Sequence, residues 1–138
     1  MLTGWPRTLA FLFVISTLVG PAAGASACVV TNGEHLVLAS QGLDPDVFVW
    51  DSAQRLIDYL AGNYNTDIVL HHTVLATPGT KAIVVGCKDG AAKTQYSPNN
   101  LDLVGVKLTN GPNKGRYGWV VADDIRSPDG KPITQADP

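Results

Sequence analysis

The chain has 138 residues, of which 45% are hydrophobic and 16% charged, with a formal net charge of −2. A mildly acidic surface over which lysines and arginines are scattered excludes the basic face that nucleic-acid phosphates demand, and equally a polybasic attachment to an anionic membrane. Two cysteines and three histidines leave little material for metal or thiol chemistry.

Residues 1–27 read as a signal peptide. Arg7 is followed by the apolar run Leu9-Ala10-Phe11-Leu12-Phe13-Val14-Ile15, which is shorter than the ~18–20 residues that cross a bilayer. Gly20-Pro21 ends any helix, and Ala23-Gly24-Ala25 and Ala25-Ser26-Ala27 both present the small residues that precede cleavage. The mature chain then begins at Ser26 or Cys28, carries a net charge of −3 once Arg7 is lost, holds no integral membrane segment, and at roughly 110 residues suffices for one small domain. This predicts an exported protein, periplasmic or secreted. In an oxidising compartment Cys28 and Cys87 form a disulfide by default. The rival is lipidation of Cys28, although a lipobox usually has a larger aliphatic where Ala25 stands. The two compete for one sulfur.

Residues 28–73 make an N-terminal arm and a helix. Leu36-Val37-Leu38 reads as an edge strand or an extended arm, and Asp44-Pro45-Asp46 as a turn. Val47-Phe48-Val49-Trp50 leads into Asp51-Ser52, either of which can cap a helix. Ala53, Leu56, Ile57, Leu60 and Ala61 then form one apolar stripe, and Gly62 supplies the stop. So short a helix is marginal alone and has to dock on a sheet. Residues 68–75 are apolar at both ends and rich in β-branched side chains, which favours a strand over a helical turn.

Residues 88–100 contain Gly90, Pro98 and paired asparagines, with Tyr96 their one large apolar side chain, and read as a long loop. Val104, Val106 and Leu108 alternate with small or polar residues, as in a half-buried strand. Residues 110–115 offer two glycines and a proline for a turn, and Tyr117-Gly118-Trp119-Val120-Val121 returns as the second strand of a hairpin. Ala122-Asp123-Asp124-Ile125 suits a short 3₁₀ turn that tucks Ile125 under the sheet. Residues 127–138, with three prolines, have too little apolar content to order themselves.

Together with the entry turn Pro78-Gly79-Thr80-Lys81, the sequence Val-x-Val-x-Leu, a glycine turn, Gly-Arg-Tyr-Gly-Trp-Val and a closing Asp-Asp-Ile resembles the bacterial SH3-like (SH3b-type) domain family over residues 74–126. The resemblance implies a mainly β fold, a small SH3-like barrel with one docked N-terminal helix. It also implies ligand contacts beside the long loop, where Tyr96 stands, and a Trp119 lying partly in the core; if Trp119 is instead exposed, it and Tyr117 could line a shallow groove that stacks a peptide or sugar. The acidic aromatic signature of eukaryotic SH3 domains is absent, so recognition of proline-rich peptides is not carried over.

Catalytic constellations are thin. His71 and His72 on a strand would point to opposite faces and could not share a metal. A Cys87 nucleophile with His71 as base needs a free thiolate in a chain that has a second cysteine to pair with it. The expectation is an exported, non-catalytic binding or accessory module of the cell envelope, without cofactor or metal. Its partner would be a cell-wall peptide, a glycan or an envelope protein. Two alternatives remain open: a lipid-anchored envelope protein or inhibitor of another enzyme, and a thiol or metal enzyme using Cys87 and His71.

Overall fold

A computed structural model describes residue 4 and residues 28–42, 44–94 and 99–133. The segment of residues 1–27 expected to be a signal peptide, Tyr96 and the end of the C-terminal tail therefore lie outside the described residues, Gly4 excepted. Among the described residues are seven strands: β1 His35–Leu38, β2 Val47–Trp50, β3 Thr73–Ala76, β4 Lys81–Ala92, β5 Leu101–Leu108, β6 Tyr117–Val121 and β7 Ile125–Arg126. Two helices, α1 Ala53–Leu60 and α2 Thr66–His72, separate β2 from β3. All pairings are antiparallel, in one curled sheet of order β3-β2-β6-β5-β4-β1-β7. The fold is thus mainly β.

The concave side of the sheet holds the larger core. Leu36, Leu38, Val49, Val84, Val104, Val106, Leu108 and Val120 meet there, each no more than 1% exposed. The 3₁₀ turn Ala122–Asp124 follows β6 and brings Ile125 into the same core. The alternation read from the hairpin is therefore the true one, with Val106 and Leu108 inward and Lys107 outward, its Nζ 5.5 Å from the Tyr117 ring. Gly118 is dictated by packing: a methyl there would lie 2.8 Å from the Trp50 carbonyl oxygen and closer still to Val49 Cγ1.

The convex side carries a second core. Trp50, Leu103 and Val121 are buried under Leu56, Ile57 and Leu60 of α1, with Ile68 and Val69 of α2 beside them. The Ser52 hydroxyl caps α1 by accepting from Arg55 N, and Gly62, at φ +84°, takes the left-handed position after its end. Ala61, placed on the stripe by spacing, is exposed, because the helix ends before it. Residues 66–72 are helical where β-branched content favoured a strand. Asn65 accepts from Ile68 N as N-cap, Asp67 lies in the first turn and His71 and His72 in the last, an end-charge arrangement that suits the helix dipole.

Three further differences concern strands. β1 lies inside the sheet, paired to β4 and β7, and is not an edge. β4 continues to Ala92 past register shifts after Val84 and Lys88, so the first part of the expected 88–100 loop is strand paired to β5. Ser127 to Ile133, expected to lack order, fold back: Ser127 and Lys131 exchange hydrogen bonds, Arg126 pairs with Pro132, and Ile133 packs against the concave core.

Cys28 and Cys87 are joined, with Cα atoms 6.3 Å apart. Next to that bond Asp102, 8% exposed, accepts from Val29 N at 3.0 Å and Gly90 N at 2.8 Å. One buried carboxylate therefore ties the N-terminal arm and the far half of β4 to β5.

Candidate functional site

One cleft is built where β2 meets β6. Trp50 lies opposite Trp119 in an antiparallel pair, and Asp46, before β2, and Asp123, after β6, line the same cleft. The turn at Asp44-Pro45-Asp46 and the 3₁₀ turn thereby bring four carboxylates, Asp44, Asp46, Asp123 and Asp124, to one cleft of about 270 Å³. Its apolar lining comes mostly from β2 and α1, with Phe48, Trp50, Leu56, Tyr59 and Leu60, and is completed by Leu101 of β5 and Val121 of β6. The Trp50 and Tyr59 ring centroids are 5.0 Å apart at 41°, and Tyr64 follows 4.5 Å beyond Tyr59. Phe48 keeps 39% of its surface exposed.

No lysine, arginine or histidine is among the described residues lining this cleft. The electrostatics follow from that. Burial, then Asp123, then Asp44 push the Asp124 carboxyl up to about 6, against the opposing pull of Arg126. Arg126 is turned aside, its guanidinium donating to the carbonyls of Asp123 and Ile125 at 2.7 and 2.6 Å. The Tyr59 hydroxyl is raised above its usual value by burial and then by Tyr64, Asp44 and Asp124.

A second cleft of about 260 Å³ shares Leu101 and Asp123 with the first. Val29, Asn100 and Ile133 complete it with Asp102 and Ala122. Thr94 and Asn100, from the connection between β4 and β5, border the first and the second cleft respectively.

The residues singled out in the sequence are dispersed. Tyr117 is 62% exposed and lines a smaller cleft of about 100 Å³ with Arg116, His71 and His72. There His72 Nδ1 and Asp51 Oδ2 are hydrogen-bonded at 2.7 Å, while His71 Nδ1 lies 2.7 Å from the Asp67 carbonyl oxygen. Trp119 is half-buried in the convex core, its indole against Gly105 and Gly86, with Lys88 Nζ 5.6 Å from the ring centroid. A Cβ at Gly105 would meet Trp119 at 3.3 Å, a tight contact to which the indole would have to yield slightly. Tyr117 and Trp119 thus line no common cleft among those described.

Cys28 Sγ, Cys87 Sγ and an Asp102 carboxylate oxygen lie within 4.8 Å of one another. The sulfurs are bonded to each other, so neither is a thiolate ligand, and Cys87 presents no nucleophile. His71 and Cys87 do not share a cleft among those described.

Sequence reasoning took Asp44, Asp46, Asp123 and Asp124 as turn formers. They are that, and the sheet also gathers them. The signal that could have found the site was Val47-Phe48-Val49-Trp50 as a strand in its own right. Asp102 announced itself differently, as a charge inside the apolar run Leu101-Asp102-Leu103-Val104. Comparison of the chain with protein-family models, with curated proteins and with solved structures finds no match in any of the three.

Proposed function

We propose that this chain is an exported, non-catalytic binding module of the cell envelope, an SH3-like barrel carrying two helices, and that the cleft between β2, α1 and the 3₁₀ turn receives its ligand. The observation that carries this reading is the cleft's composition, a partly exposed aromatic side bordered by carboxylates, the usual make-up of a recognition site. Export is supported by the Cys28–Cys87 bond, since such bonds persist in oxidising compartments. No helix among the described residues is long and apolar enough to cross a membrane.

Co-sedimentation of the mature protein with isolated envelope fractions tests the proposal. Phe48→Ala removes an exposed ring without opening either core, and its binding is expected to fall about tenfold. Leu70→Ala, at an exposed position on α2 away from the cleft, is expected to bind as wild type. Absence of wild-type binding, or undiminished binding by Phe48→Ala, overturns the proposal. Loss of binding in Tyr117→Ala alone would also overturn it, by moving the site to the hairpin.

A further inference from the structure

We infer that the cleft selects a cationic side chain of a peptide, an ammonium or guanidinium on an aliphatic stem. This rests on the proposed binding role and names its ligand class. A long basic side chain has two parts, an apolar stem and a charged head, and the cleft has a counterpart for each. Phe48, Tyr59 and Leu60 offer apolar and aromatic surface to the stem. Asp44, Asp46, Asp123 and Asp124 stand along the same lining, where one or another can offer the head a charge-assisted hydrogen bond and no cation of the described lining answers them.

Competing occupants fit less of the site. A hard metal ion takes six to eight oxygen ligands, or six in an octahedron, and would leave the aromatic side without a role. A neutral sugar can stack on the rings but brings no charge to the four carboxylates. The elevated Asp124 carboxyl agrees with a site lacking its counter-ion. The groups that act on it come from every neighbouring element: Asp123 beside it, Asp44 before β2, Arg126 on β7, and Tyr59 on α1, whose own titration registers Asp124.

Isothermal titration of the mature protein with the acetylated, amidated pentapeptide Ala-Ala-Lys-Ala-Ala tests the inference, with its Nε-acetyl-lysine form as comparator. Nε-acetylation is expected to weaken binding by at least about tenfold, as loss of a charge-assisted contact predicts. Asp46→Asn/Asp123→Asn is expected to do the same with an unchanged circular dichroism spectrum. Lowering the pH from 7.5 to 5 should weaken the lysine peptide several-fold as Asp124 takes up a proton. Equal binding of the acetylated peptide, no effect of the double variant, or Ca²⁺ alone binding more tightly than the peptide overturns the cationic assignment. If the envelope still binds through Phe48 in those cases, the cleft remains the binding site and only its ligand class falls.

Discussion

Replacing Asp102 by alanine tests whether one carboxylate secures both the N-terminal arm and the distal part of β4. The side chain is 8% exposed and accepts from Val29 N and Gly90 N at 3.0 and 2.8 Å. Hydrogen bonds with a charged partner contribute about 1.5–3 kcal/mol each, so the two together amount to about 3–6 kcal/mol. Part of this is offset because the variant no longer keeps a desolvated carboxylate, which leaves an expected net loss of about 3 kcal/mol. The Cys28–Cys87 bond spans 59 residues of sequence, and loop closure of that length corresponds to about 4 kcal/mol. The disulfide and the Val29 bond hold the same arm. Once Cys28 and Cys87 are replaced by serine the arm can leave, and only the Gly90 bond still opposes unfolding in full. Asp102→Ala is therefore expected to cost about 3 kcal/mol in the disulfide-bonded protein and about half of that in the Cys28→Ser/Cys87→Ser background. Urea unfolding of the four proteins, followed by tryptophan fluorescence, completes the cycle. Equal costs in the two backgrounds, or a cost below about 0.5 kcal/mol in the disulfide-bonded protein, would refute the reasoning.

Asp124 gives a pH dependence of defined sign. Its carboxyl is raised from 3.8 to about 6 in the folded protein, so between those values the folded state binds more protons than the unfolded and stability falls as pH rises. The full effect is at most about 3 kcal/mol. Asp124→Asn should raise the urea midpoint at pH 7.5 and flatten its decline from pH 4 to 6, and an unchanged profile contradicts the burial argument. Gly118→Ala would press a methyl onto the Trp50 carbonyl and Val49, and since backbone yields little the expected cost is about 3 kcal/mol. A melting temperature within 2 °C of wild type, where roughly 4–8 °C per kcal/mol applies to a domain of this size, would show that β2 and β6 can move apart.

What could be read from the sequence follows how far neighbouring residues determined the outcome. The β5–β6 hairpin was legible because Val104, Val106 and Leu108 alternate and the glycines of residues 110–115 leave few other paths. α1 was legible because its stripe, cap and stop lie within ten residues or so. β2 was not, since Val49 faces one core and Trp50 the other, which erases the alternation that marks a strand. α2 was misread because β-branched content was weighed above the Asn65 cap. The acidic cleft lay beyond local reading altogether. Asp46 and Asp123 come to one cleft because β2 and β6, far apart in sequence, pair at Trp50 and Trp119, a pairing no local pattern announces.

The apolar layers on both sides of the sheet have a consequence for how the molecule opens. β5 is shielded by the concave core on one side and by the helical layer on the other, with β4 and β6 along its flanks; Asp102 to Val106 are buried without interruption. Water reaches its amides only when both layers separate, so exchange there proceeds through global unfolding, whereas the sheet-edge strands β3 and β7 can exchange by local fraying. The helices are thereby bound into the same cooperative unit as the sheet, and loosening α1 would uncover the second face of β5.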